Sequence, residues 1–269
     1  MPELPEVETV VRGLRNSIIN QTIEAVDISD KQLRLPYHLE MVPILRGKKI
    51  TDITRYAKYI IIHTNSIYKL VMHLGMSGRL TISGLANKEK HDHVVFKLSN
   101  TQLIFNDARR FGLVALVENL DNSKLFSHLG IDPFASEFTW ECLYNLTKRS
   151  KSLIKSLLMN AKCIVGIGNI YATESLFSAK ILPNRVASSL SEVEVVLLYQ
   201  SIIEVLSKAI DSGGSTLKDY VHADGNIGQF QNSFRAYGRI NKLCYECNHI
   251  IQRIQIAGRS SFYCANCQK

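Results

Sequence analysis

Two groups of residues in this 269-residue chain have types and spacings suited to chemistry. The first is Met1-Pro2-Glu3. Proline is small enough for removal of the initiator methionine, which would leave Pro2 with a free secondary amine. An α-amino group titrates near ~8, against ~10.4 for a lysine side chain, so much more of it is neutral and nucleophilic at physiological pH. Such an amine can attack an anomeric carbon and form an iminium, an electron sink for elimination. Taken alone the tripeptide is weak evidence, and a glutamate at a helix start ordinarily just complements the helix dipole. The second group is Cys244-x-x-Cys247, sixteen residues, then Cys264-x-x-Cys267. Each pair offers two thiolates to one tetrahedral ion, the donor set of one structural zinc. That site is closed, so the metal is expected to fold the segment and to stay outside the reaction. Redox thiol pairs would want a thioredoxin-like βαβ pattern, which is missing. Cys142 and Cys163 lie alone in apolar patterns read as helical.

These residues need elements to hold them. After Pro5, the apolar positions Val7, Val10, Val11, Leu14 and Ile18 have helical spacing, and proline suits a helix start. From about Gln21 to Glu118 the pattern changes to short apolar or alternating runs at 23–29, 59–64, 68–74, 94–98, 103–105 and 113–117. That predicts a β-sandwich or barrel behind one leading helix. A loop at 130–137 opens a helical half. Thr139 can cap 140–149, amphipathic segments follow at 152–161 and 170–179, and Ser191 and Glu194 have capping-box spacing before a helix that stops at Gly213-Gly214. Residues 217–232 read as a mobile loop. The cysteine module contains an alternating run, Ile250, Gln252, Ile254 and Ile256, that returns through Phe262 and Tyr263 as a hairpin with Gly258-Arg259-Ser260 at its tip. The fold class predicted is α+β, with a sandwich domain at 1–130, a linker at 131–138, a helical domain at 139–234 and a zinc finger at 235–269.

The formal charge is +8, a balance that favours a polyanionic partner through counterion release and steering. Six Lys/Arg and one acidic residue between Arg235 and Lys269 put a net +5 in the last 35 positions. The start has neither a basic n-region nor an apolar h-region, and no stretch reaches ~18 uninterrupted apolar residues, which excludes a membrane-spanning helix. A reducing compartment is expected, the cytoplasm of a bacterial-type cell with association to the nucleoid, and the chain is expected to act as a monomer.

Seven ordered stretches give this chain a resemblance. They are PELPEVETV at the start, Ala57-Lys58-Tyr59, His73-Leu74-Gly75-Met76-Ser77-Gly78 and Lys90-His91-Asp92-His93, then Asp107-Ala108-Arg109-Arg110-Phe111-Gly112, Gly166-Ile167-Gly168-Asn169-Ile170-Tyr171 and Gly213-Gly214-Ser215-Thr216-Leu217-Lys218-Asp219, with the zinc hairpin after them. Along essentially its whole length the sequence resembles bacterial formamidopyrimidine-DNA glycosylase. The resemblance implies an N-terminal β-sandwich, a helix–two-turns–helix domain and a C-terminal zinc finger, bound to damaged duplex DNA. It implies base-excision repair of oxidised purines (8-oxoguanine and formamidopyrimidines), with nicking of the abasic site by β,δ-elimination through a Schiff base on Pro2.

Roles carry over residue by residue. Pro2 attacks C1′, and Glu3 is the acid/base that assists base departure and ring opening; Glu6 either assists or orders the N-terminus. Lys58 is a proton donor or phosphate ligand for β-elimination. Arg259 matches the family's finger arginine, but a guanidinium with a pKa above ~12 is a poor acid and a good bidentate phosphate clamp. Met76, Arg109 and Phe111 match the wedge that fills the space of a flipped nucleotide, where two apolar plugs and a cation suit the task. Without the resemblance, Met76 and Phe111 would read as core residues. His91, Arg110, Lys151 and Asn169 are expected phosphate ligands, which position without specifying, and Lys218 belongs to the region that covers the everted base. Residues 221–231 depart from the family pattern. Two other readings stay open: an endonuclease VIII-like enzyme for oxidised pyrimidines, and a catalytically silent zinc protein that only binds DNA.

Overall fold

A computed structural model describes residues 2–84, 89–215 and 228–269. Helix α1 (Leu4–Ile18) starts behind Glu3, with Pro5 in its first turn, and buries Leu4, Val7, Val10, Val11, Leu14 and Ile18 along one face. The chain continues through β1 (Ile23–Ile28), the short α2 (Met41–Leu45), β2 (Ile50–Tyr56), β3 (Tyr59–Thr64), β4 (Lys69–His73), β5 (Arg79–Ser83), β6 (Asp92–Leu98), β7 (Gln102–Asn106) and β8 (Leu113–Val117). These make two four-stranded antiparallel sheets, ordered β1-β6-β7-β5 and β2-β3-β4-β8. Alternation assigns the faces. Ile60, Ile62, Leu70 and Met72 join Val94, Phe96 and Phe105 of the other sheet and Val7, Leu14 and Ile18 of α1 in one core. Each fully buried Ile, Leu or Phe contributes about 1.5–3 kcal/mol. The leading helix and the sandwich are as the pattern predicts. The strands at 50–56 and 79–83 and helix α2 add to it, because tertiary pairing recruits segments with weak periodicity of their own.

The chain divides into two compact units. One takes the residues to Ser127 and the described parts of 212–229; the other takes 128–211 and 230–269. In the second unit Thr139 caps α3 (Trp140–Lys148), its hydroxyl accepting from Cys142 N at 3.3 Å. Helices α4 (Ile154–Leu158) and α5 (Asn169–Ser178) follow, then α6 (Glu192–Asp211). At the start of α6, Ser191 N donates to Glu194 (2.7 Å) and Glu194 N to the Ser191 hydroxyl (3.3 Å), a formed capping box. The Arg185 guanidinium, bonded to Glu194, holds that carboxyl down to about 2. Leu143, Leu158, Tyr171, Leu176, Leu198 and Ile202 share the helical core.

Four local expectations change. The segment 152–161 is helical only over α4, and Cys163 lies in the turn after it, where the Asn160 side chain accepts from Lys162 N and donates to Cys163 Sγ. The end of the expected loop at 217–232 is ordered: Gln229 pairs with Ser215, and Phe230–Ser233 is a 3₁₀ turn that buries Phe230. The finger hairpin, β9 (Gln252–Ile256) with β10 (Arg259–Tyr263), turns at Ala257-Gly258, both at positive φ, so Arg259 is the first residue of the returning strand. Ile250 is exposed and Ile251 takes the buried place. Among the described residues no helix is long and apolar enough to cross a membrane.

Candidate functional site

In the first unit, Pro2 and Glu3 are both buried at the head of α1, with Glu3 only 3% exposed. Glu3 N donates to Glu6 Oε2 (2.8 Å), while Glu6 Oε1 accepts from the backbone N (2.8 Å) and the hydroxyl (2.9 Å) of Ser215. Gly214, at φ +74, permits this approach: a β-carbon there would lie 3.2 Å from Glu6 Oε1. Of the two readings of Glu6, ordering the N-terminus is the one these bonds perform.

Lys58 is half-buried in the two-residue turn between β2 and β3, whose flanking residues Tyr56 and Tyr59 pair. Ala57, at φ 55, takes the left-handed place where such turns ordinarily use glycine, a strain of about 1 kcal/mol. His73 lies near. Its Nδ1 accepts from Gly75 N (2.9 Å), its ring meets Tyr59 edge-on at 4.9 Å, and burial, then the charges of Arg34 and Lys58, bring its pKa down to about 4.

Met76, Arg109 and Phe111 sit on two loops that touch. Met76 is 37% and Phe111 45% exposed, so neither is a core residue, and the Arg109 guanidinium lies 5.0 Å from the Phe111 ring centroid. Gly75 makes the contact possible, since a β-carbon there would fall 2.5 Å from the Phe111 carbonyl carbon. The organiser is Asp107, fully buried. Its Oδ1 accepts from the Ser77 hydroxyl (2.6 Å) and Arg109 N (3.2 Å), its Oδ2 from Gly112 N (2.7 Å). Its backbone N donates to the His91 carbonyl, which ties His91 to the same loop; Arg110, exposed at φ 57, lies within it.

The second unit holds Lys151, Asn169 and Arg259. Lys151 and Arg259 are exposed, and Asn169 is the first residue of α5. Lys155, 1% exposed, donates to Asn169 Oδ1 (2.6 Å), to the Ser261 hydroxyl (2.7 Å) and to the Ser260 carbonyl (3.2 Å), and Asn169 Nδ2 donates to that carbonyl at 3.1 Å. Asn169 and the strand that begins with Arg259 are thereby fixed to each other. Glu174 joins α5 to the finger by accepting from the backbone N–H groups of Arg235 (2.9 Å), Ala236 (2.9 Å) and Tyr237 (2.7 Å); burial pushes its pKa up against those bonds. Lys218 lies outside the described residues.

The sulfurs of Cys244, Cys247, Cys264 and Cys267 all lie within 4.8 Å of one another, with pairs at 3.9 and 3.4 Å. Tetrahedral bonds of about 2.3 Å to zinc would separate them by about 3.8 Å, so the four residues fit one structural zinc. Residue-type reasoning passed over Asp107, Lys155 and Glu174. The available signal was a charged residue on a face whose neighbours are apolar, as with Lys155 beside Ile154, Leu157 and Leu158.

Three family descriptions match successive parts of the chain. They are the formamidopyrimidine-DNA glycosylase N-terminal domain over residues 1–114, its H2TH domain over 129–221, and a zinc finger found in FPG and IleRS over 241–269. A formamidopyrimidine-DNA glycosylase of Wolbachia pipientis subsp. Culex pipiens is 47% identical over 270 residues, covering all of both chains. Among solved structures, a Lactococcus lactis FPG mutant in complex with Fapy-dG-containing DNA superposes with a TM-score of 0.92 at 35% identity over all of both chains. The Lactococcus lactis Fpg complex with abasic-site DNA gives the same score and identity over 99% of each. From end to end, this chain belongs to the formamidopyrimidine-DNA glycosylase family.

Proposed function

We infer that this chain is a bifunctional DNA glycosylase and abasic-site lyase that removes oxidised purines from duplex DNA. The observation that carries the reading is Glu3, a residue 3% exposed directly after Pro2, whose backbone N is held by Glu6, itself bonded to Ser215. A buried acid next to a secondary amine suits proton relay at the atom that amine attacks.

Once Met1 is removed, the Pro2 nitrogen bonds to C1′ as the C1′–N glycosidic bond breaks, and the base leaves with a proton handled by Glu3. Ring opening gives an iminium. Loss of a C2′ proton then expels the 3′ phosphate, loss of a second sugar proton expels the 5′ phosphate, and hydrolysis frees the amine. Lys58, half-buried beside the apolar strand β3, serves as proton donor or phosphate ligand for the first elimination. Arg259 clamps phosphate with its planar fork. The exposed pair Met76 and Phe111 with Arg109 fills the gap left by the everted nucleotide, a step that costs a few kcal/mol. His91, Arg110, Lys151 and Asn169 hold phosphates, Lys218 covers the base, and the zinc of Cys244, Cys247, Cys264 and Cys267 fixes the finger. The functional division is 1–130, 139–234 and 235–269, with 131–138 as linker. The protein works as a monomer in the bacterial-type cytoplasm, at the nucleoid.

The test is borohydride trapping with protein confirmed by mass to begin at Pro2, on 8-oxoguanine·C, thymine-glycol and undamaged duplexes. A covalent adduct and base release on 8-oxoguanine·C are expected. Absence of any adduct ends the role of Pro2, and an adduct confined to thymine glycol moves the specificity to oxidised pyrimidines.

A further inference from the structure

Arg55 stands two residues before the strained Ala57 and three before Lys58. Its side chain is 7% exposed, and it bonds in two directions. Nε donates to Glu8 Oε2 at 3.0 Å and Nη1 donates to the Ala57 carbonyl at 3.0 Å. Glu8 belongs to α1, the helix that begins at Pro2 and Glu3, and its other oxygen accepts from Arg12 Nε at 2.9 Å. One planar cation therefore grips both the helix behind the amine and the carbonyl of the turn that presents Lys58. A guanidinium fixes two directions at once, which the single ammonium of lysine does not. The pair is largely out of solvent, unlike a surface ion pair.

We propose that Arg55 is a positioning residue for the elimination step, setting Lys58 against Pro2 and Glu3 through the Ala57 carbonyl and Glu8. The proposal rests on the reading of Lys58 and Pro2 given above. It separates the two halves of the reaction. Duplex binding does not depend on Arg55, whereas strand nicking depends on the placement of one lysine nitrogen.

Single-turnover nicking of a preformed abasic site is measured for wild type, Arg55→Lys, Arg55→Ala, Lys58→Ala and the Arg55→Lys/Lys58→Ala pair. Thermal unfolding and affinity for an uncleavable abasic-analogue duplex are measured beside it. Arg55→Lys keeps the charge and should fold even if Arg55→Ala does not. Nicking by Arg55→Lys should slow about ten- to a hundredfold, the scale of a displaced catalytic group, while affinity stays within about twofold. In the Lys58→Ala background the same change should add nothing, since residues acting through one another are non-additive. Adding Ala57→Gly to Arg55→Lys should restore part of the rate, because glycine holds φ 55 without the clamp. Normal nicking by Arg55→Lys beside an inactive Lys58→Ala overturns the proposal and leaves Lys58 in place. An equal slowing by Arg55→Lys with and without Lys58 overturns it too. Normal nicking by Lys58→Ala overturns the reading of Lys58, and this proposal with it.

Discussion

The two units organise their exposed basic residues around buried charges of opposite sign. In the first, the Asp107 carboxylate gathers the Ser77 hydroxyl and the backbone N–H groups of Arg109 and Gly112. In the second, the Lys155 ammonium reaches Asn169 on α5 and Ser260 and Ser261 on β10. The sign decides the architecture. A carboxylate accepts, and here its donors are the Ser77 hydroxyl and the backbone N–H groups of Arg109 and Gly112, so it ties together two loops that already touch. An ammonium has three donors and must find acceptors in separate segments, so it pins a helix start to a hairpin. Damage to the first should stay local, and damage to the second should uncouple distant parts.

The largest expected effect sharpens this contrast by removing the finger's metal. Zinc in such modules supplies on the order of 10 kcal/mol of folding free energy. A chelator should therefore make the β9 and β10 amides exchange freely while those of β3 and β4 keep their protection. Unchanged exchange in β9 and β10 after metal loss would show that Lys155 and Glu174 hold the hairpin without zinc.

Asp107→Ala should destabilise by about 2–3 kcal/mol, roughly 1 kcal/mol or more each for the Ser77 hydroxyl and Gly112 N left unpaired, while Arg109 N keeps the Ser77 hydroxyl as acceptor. Asp107→Asn, which keeps acceptors, should cost less. Denaturant unfolding gives the sizes, and exchange should rise only at 75–78 and 108–112. Lys155→Met preserves volume and leaves Asn169 and Ser261 without their donor, for about 2–3 kcal/mol. Here exchange should rise in three separated places: α4, the start of α5 and β10. A local response to Lys155→Met would break the comparison.

The imidazole behind the Lys58 turn responds to pH. His73 titrates near 4 when folded and near ~6.5 when unfolded. Between those values the unfolded chain holds the extra proton, so stability is full above ~6.5 and falls as pH drops toward 4, by about 3 kcal/mol in all. Denaturant titrations at several pH values should show this slope, and His73→Asn, which keeps an acceptor for Gly75 N, should flatten it. The smallest stability effect is at Gly75. Gly75→Ala should cost about 1–2 kcal/mol, from the left-handed φ and the close Phe111 backbone. Because the two loops must separate to admit the methyl, lesion excision should fall more than the melting temperature does.

Much of the fold is visible as pattern. The apolar spacing of α1, the Thr139 cap and the Ser191–Glu194 box rest on residues at most four apart, and the two Cys-x-x-Cys turns, each local in sequence, meet in one cluster; all form as expected. Strand β5 and helix α2 are less visible, since their short runs take their states from the neighbours they pack against. The inward residue of the Ile250–Ile251 pair is another such choice. Alternation predicts that one of two adjacent isoleucines is buried, but it is the zinc knuckle that selects Ile251.

The site divides along the same line. The exposed residues, Met76, Arg109, Phe111 and Arg259, could be named from type and motif because their chemistry points outward. The buried groups that hold the site's elements could not, because their bonds reach far along the chain: Lys155 to Ser261 across 106 positions, Glu6 to Ser215 across 209, Arg55 to Glu8 across 47. The sequence by itself determined the spacing of the thiolates, the helix caps and the family, all carried by single residues or near neighbours. Only the tertiary structure decided which buried charge holds which loop. A hydrogen bond's partner is set by where the packed layers bring two distant segments together, and no local periodicity carries that information.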